Sequence, residues 1–129
     1  MTALSFQRGG NPKVTLTIGQ SSKIVTWFEE RGILNYHINN DLTIDIEGSV
    51  DCNEKMESFP SFIRFNKVSG SFFCKRCGLT TLANSPKEVG DIFDCSGNNL
   101  SSMQGGPEKV GSLVCASNNL SSFEYFPII

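Results

Sequence analysis

Four of the chain's five cysteines, Cys52, Cys74, Cys95 and Cys115, follow one another at steps of 22, 21 and 20 residues. A step that regular is a repeat period. Periods of twenty-odd residues restrict a chain to architectures in which one short supersecondary unit stacks on the next. Aligning on the cysteines brings the second half into register. Phe72-x-Cys74-x-x-Cys77-x-Leu79-x-x-Leu82 is followed by Pro86-Lys87-Glu88-Val89-Gly90, and Phe93-x-Cys95-x-x-Asn98-x-Leu100-x-x-Met103 by Pro107-Glu108-Lys109-Val110-Gly111. Leu113-x-Cys115-x-x-Asn118-x-Leu120-x-x-Phe123 then runs to Pro127. A degenerate unit goes from Val50-x-Cys52 to Met56-x-x-Phe59, closes on Val68 and Gly70, and is one residue tighter between Cys52 and Met56.

The alternating pairs Phe72/Cys74, Phe93/Cys95 and Leu113/Cys115 have the period of a short strand with one buried face, so successive units should stack as parallel strands. Cys52, Cys74, Cys95 and Cys115 take the small inward position. Asn98 and Asn118 stand where the chain leaves the strand, where a buried amide can satisfy turn backbone groups in its own coil and the next. Cys77 holds the same place one unit earlier. Leu79/Leu82, Leu100/Met103 and Leu120/Phe123 fill the interior from the return side, and Pro-x-x-Val-Gly reads as the convex return and turn. The pattern is that of a leucine-rich repeat.

The predicted fold is α/β: a short leucine-rich-repeat-like solenoid of stacked parallel strands with an N-terminal strand-helix-strand cap. Residues 1–12 read as a loose tail. Residues 13–47 form the cap: Lys13 to Ile18 alternates as a strand, and Ser21 or Ser22 caps a helix through Ile24, Trp27 and Phe28 that Gly32 stops. Tyr36 to Asn39 and Leu42 to Ile46 follow as strands around an Asn39-Asn40-Asp41 turn. Residues 48–129 hold three to four units of 20–22 residues and a C-terminal cap. Tyr125-Phe126-Pro127-Ile128-Ile129 either folds back as that cap or forms a contact surface, possible between two copies; the need of a solenoid for protected ends favours the cap.

Composition narrows function. Of 129 residues, 39% are hydrophobic, enough for one small domain. Eleven Lys+Arg against thirteen Asp+Glu, a net charge of -2, indicates neither a basic nucleic-acid surface nor an acidic mimic of one. Met1 to Gly10 lacks a signal-peptide pattern and no apolar run is long enough for a membrane span, so a soluble protein acting without a membrane is expected. An odd cysteine count in that setting argues for reduced thiols.

The chain resembles the short leucine-rich-repeat-like proteins encoded by tailed bacteriophages and prophages of enteric bacteria. Their units read P-K-x-V-G-x-F-x-C-S-x-N-N-L-x-S-L-x-G, close to Pro86 through Gly90 followed by Cys95-Ser96-Gly97-Asn98-Asn99-Leu100-Ser101-Ser102-Met103-Gln104-Gly105. Asn35 to Asn39 with Leu42 to Gly48 resembles the segment that precedes the repeats there, so the likeness spans residues 13–129. It supplies no catalytic residue. It implies a phage-type protein in the cytoplasm of an infected bacterium.

Candidate chemistry weighs less than the repeat. Cys74-Lys75-Arg76-Cys77 is a C-x-x-C with two cations that would suit a thiol redox or metal-binding role. Yet Gly78-Leu79-Thr80-Thr81-Leu82 continues the repeat where a redox motif needs a helix. Zinc needs tetrahedral convergence, whereas a cysteine column spaced at about 4.8 Å is linear. His37, the sole histidine, alternates with apolar residues and reads as an exposed strand residue. Asp41, Asp45, Glu47 and Asp51 fit no calcium loop and read as a solvated face. No metal, cofactor or catalytic site is therefore predicted. The expected reading surface is the outward strand face, with Phe73, Asp94 and Val114 on one line and Lys75, Ser96 and Ala116 on the next. The expected function is a non-enzymatic protein-interaction module that binds and inhibits or redirects a host bacterial protein, such as a defence system. The alternatives are a Cys74/Cys77 thiol protein and a secreted effector or virion component.

Overall fold

A computed structural model describes residues 18–129. The expected tail, residues 1–12, and the Lys13 to Thr17 part of the expected first strand lie outside the described residues. Ile18 belongs to a helix instead, and α1 (Ile18–Glu30) begins before either proposed cap, Ser21 or Ser22. Ser22 sits inside the helix on its exposed side, where serine's modest helix preference costs little. Ile24, Val25, Trp27 and Phe28 form the buried stripe. Gly32, at φ +70, ends the helix: its N–H donates to Glu29 O at 3.2 Å and the Ile33 N–H to Phe28 O at 3.0 Å, the paired bonds of a Schellman stop.

After the helix, β1 (Tyr36–Ile38) and β2 (Thr43–Ile46) form an antiparallel hairpin. Its turn closes through Leu42 N–H to Asn39 O, with Leu42 at φ +69 in the bulge position. From β2 onward the pairing is parallel. β3 (Val50–Asp51), β4 (Arg64–Val68), β5 (Phe72–Phe73), β6 (Glu88–Asp94) and β7 (Lys109–Val114) make two adjoining ladders. One runs β2-β4-β6-β7 and the other β3-β5-β6-β7. Three parallel steps from β2 to β7 make a β-solenoid of about three turns, and its ladder starts at Thr43. Strands dominate the described residues, with one short helix.

The Pro-x-x-Val-Gly segments are not simple returns. β6 runs unbroken through Val89-Gly90, and Val68, Val89 and Val110 point into the core as members of the first ladder. The glycines serve close approach between coils. A Cβ on Gly90 would overlap the Ser69 carbonyl oxygen, and one on Gly111 would lie 2.7 Å from the carbonyl oxygens of both Gly90 and Asp91. The register shifts by one residue just past this point, and the two ladders meet there at an angle.

The interior is a continuous column. Phe72 and Phe93 stack along the axis with ring centroids 5.8 Å apart, Phe65 sets its ring edge-on to Phe72 at 5.0 Å, and Leu79, Leu82, Leu100 and Met103 complete the buried interior. At the first end, Trp27 and Phe28 of α1 set their rings edge-on to Phe65 at 6.4 and 6.1 Å, and Tyr36 stacks on Phe28 at 4.5 Å. Arg31 fastens helix to coil. It lies over the Trp27 ring, donates to Trp27 O and pairs with Glu54 at 2.7 Å.

Candidate functional site

The periodic residues fall at equivalent places in successive coils. Cys52, Cys74 and Cys95 are buried in one column and Cys115 is half-buried at its end; all five thiols are free. Burial pushes the Cys52 and Cys95 thiols up to about 12, with the neighbouring cysteines adding to the effect, and raises Cys74 well above its usual value. Burial raises Cys77 and Cys115 as well. Thiols kept protonated are poor nucleophiles and poor metal ligands.

Asn98 joins three coil segments. Its Oδ1 accepts from the backbone N–H of Cys77, Gly78 and Leu79 at 2.9–3.0 Å, while Nδ2 donates to the carbonyls of Cys74 and Cys95 at 3.0 and 2.8 Å. Asn118 repeats the arrangement with fewer bonds, accepting from Leu100 N–H and donating to Cys95 and Cys115 carbonyls. Cys77 stands at the same point one coil earlier, and its Sγ donates to Cys52 O at 3.0 Å. The side chains of Lys75 and Arg76 between the two cysteines are exposed. Among the described residues no cluster of three or more His, Cys, Asp or Glu could hold a metal ion.

The outward row of the second ladder runs Asp51, Phe73, Asp94, Val114 by direct strand register. Phe73 and Asp94 are half-buried, and Asp94 Oδ1 accepts from both the N–H and the hydroxyl of Ser96, so that pair closes a local turn. Lys75, Val114 and Ala116 are exposed. The expected acidic face is partly engaged too: Asp41 Oδ1 accepts from Thr43 N–H and Oγ1, which lowers its pKa, and Asp45 Oδ1 accepts from Asn66 Nδ2 and Lys67 N–H. His37 is half-buried on β1, in register with Asp45.

A second surface lies beside this row and the repeat alignment passed over it. Where the ladders meet, a groove of about 540 Å³ is lined by Asp45, Lys67, Glu88 and Lys109 along one wall and by Ser69, Gly90 and Gly111 at the corner. Lys67, Glu88 and Lys109 are direct register partners, so charge alternates coil by coil. None of the four is in an ion pair among the described residues, although the Asp45 carboxylate is held by Asn66 and the Lys67 N–H. Their positions share the cysteine period; the alternating sign hides them from any alignment that seeks like residues.

The geometry defines a short parallel β-solenoid with a helix and hairpin packed at one end. No protein-family model, curated protein or solved structure matches the chain. Among the described residues no helix is long and apolar enough to cross a membrane.

Proposed function

We propose that this chain is a non-enzymatic, leucine-rich-repeat-like module that binds another protein. In this reading α1 and the hairpin are its N-terminal cap. The ladder groove and the adjoining Lys75, Val114 and Ala116 are its reading surface, with Phe73, Asp94 and Ser96 shaping its edge. The observation that carries the reading is the groove: a concavity with an apolar floor of Val68, Val89 and Val110, walled by four charges of alternating sign that form no ion pair among the described residues, on a stack of parallel strands. Such a surface discriminates partners by charge register. The buried, protonated thiols favour it over a thiol chemistry at Cys74 and Cys77. Its phage-type repeat suggests a host bacterial protein as the target, a defence component among them, met in the cytoplasm of the infected cell; secreted or virion roles would place it in supernatant or particles.

Affinity capture from infected cells, run side by side with a Lys67→Glu/Lys109→Glu double variant of native circular dichroism, tests this. A stoichiometric partner that the double variant loses is the expected result. A partner retained by that variant removes the groove, and thiol-substrate turnover by the pure protein overturns the reading altogether.

A further inference from the structure

The two ends of the stack differ. At the first, Phe65 is covered by Trp27 and Phe28. At the other, the residues that are buried in every earlier coil surface again: Leu82 and Met103 are 0% exposed, but their equivalent Phe123 is 85% exposed. Leu113, Cys115 and Leu120 are only half-buried, where Phe93, Cys95 and Leu100 are fully enclosed. The C-terminal segment covers part of this end and no more. Ile128 bridges Lys109, exchanging backbone bonds with Val110 N–H and Glu108 O, and Phe126 packs on Phe123, while Tyr125, Ile128 and Ile129 keep apolar surface in solvent.

Past Val110 the edge of β7 has no strand beside it among the described residues. In the coil before, the N–H groups of Cys95 and Gly97 donate to Val114 O and Ala116 O at 2.9 Å. The corresponding N–H groups of Cys115 and Ser117, the latter at φ +58 like Gly97 at φ +69, have no backbone acceptor among the described residues. Edge strands are ordinarily blunted by lysine, proline or inward charge. Here the fourteen residues from Val110 to Phe123 carry no charge at all. It is an uncharged edge of Ser and Asn with Val114 and Phe123 exposed, and it is unpaired among the described residues.

We propose that the cover is a second copy of this chain, joined by a two-fold axis that sets β7 antiparallel to its counterpart with Val114 opposite Val114. A head-to-tail filament is blocked because α1 and the hairpin occupy the other end, so like ends meet and the assembly closes as a dimer. The absence of charge matters for the same reason. A two-fold axis places every residue near it against its own copy, and any charge there would repel itself. This proposal does not rest on the groove: Lys67→Glu/Lys109→Glu should remain dimeric.

Sedimentation at concentrations well above the micromolar range tests it, with Val114→Lys and, as a variant at an exposed ring whose described ring contact is Phe126, Phe123→Glu, each checked for native circular dichroism. A species of twice the 14.1 kDa chain mass is expected, weakened roughly tenfold or more by either substitution, with Cys115 and Ser117 amides protected from hydrogen exchange only in the dimer. A chain that stays monomeric overturns the proposal. So does a dimer indifferent to both variants, or amide protection that appears only when a foreign protein is added.

Discussion

Replacing Asn98 with alanine removes one side chain from a site where it serves three coil segments. Its Oδ1 takes three backbone N–H groups, of which Cys77 and Leu79 belong to buried residues and Gly78 to one that water reaches. Its Nδ2 serves two carbonyls, Cys74 and Cys95. Each buried donor left without a partner costs about 1–3 kcal/mol, and each lost bond to a carbonyl about 1 kcal/mol where a second acceptor or water does not replace it. Asn98→Ala should therefore cost about 3–5 kcal/mol, a large part of the 5–15 kcal/mol typical of a whole domain. Asn118→Ala is the internal control. It strands one N–H, that of Leu100, in a half-buried setting at the open end, and should cost about 1–2 kcal/mol. Urea unfolding followed by circular dichroism, with unchanged m-values, measures both. An Asn98→Ala penalty under about 1 kcal/mol, or one equal to that of Asn118→Ala, would refute the assignment of the ladder as the structural tie between coils.

Gly90→Ala should cost more than about 4 kcal/mol, because its Cβ meets the Ser69 carbonyl rather than a movable side chain, while Gly32→Ala, with open space around it, should cost about 1–2 kcal/mol of left-handed strain; comparative thermal melts separate them. Cys77→Asn, although it matches the repeat, should destabilise: the Asn53 to Lys55 loop it faces is exposed and the Met56 N–H is already given to Cys77 O, so the new Oδ1 finds no N–H triad, and a gain in urea midpoint would contradict this. Thiol pKa values raised by folding favour the protonated form, so stability should be intact below about pH 9 and fall as pH climbs toward 12, by at most about 1.4 kcal/mol per unit per buried thiol. Urea midpoints at pH 8 and about pH 11 should diverge in the wild type and less so in Cys95→Ala. Native alkylation should reach Cys115 first and leave Cys74 untouched until unfolding; rapid labelling of Cys74 would undo the buried-column reading.

The parts of the fold that could be read from the chain alone are those where each coil asks for the same chemistry. Cys74 and Cys95 occupy one site in successive coils because the interior at that point admits only a small apolar group, so identity recurs and the period becomes visible. Asn98 and Asn118 recur for a similar reason, since only an amide can both accept from one coil and donate to another. Gly90 misled because glycine has two uses. A sequence cannot separate a turn from a strand segment over which a neighbouring backbone passes closely, and it is the second that applies at Gly90 and Gly111. The helix start differs from the expectation for a comparable reason: serine is a good cap in isolation, but a helix whose buried stripe runs from Ile24 to Phe28 tolerates Ser22 on its exposed side.

Function leaves a different trace. A binding surface has no reason to repeat one residue in every coil, because a partner presents different groups along its length. On the proposed binding reading this is why Asp45, Lys67, Glu88 and Lys109 keep the period and change the sign, and the groove becomes visible only once register places Lys67, Glu88 and Lys109 side by side. The last coil departs in a third way. It retains the inward grammar of Leu113, Cys115, Asn118 and Leu120 and has lost the charges that its predecessors carry as Asp91, Asp94, Lys75 and Arg76. A coil that keeps its core residues and sheds its charges fits the two-fold contact proposed for this end, where a charge would face its own copy. Among the described residues its burial is incomplete, and the proposed second copy would complete it.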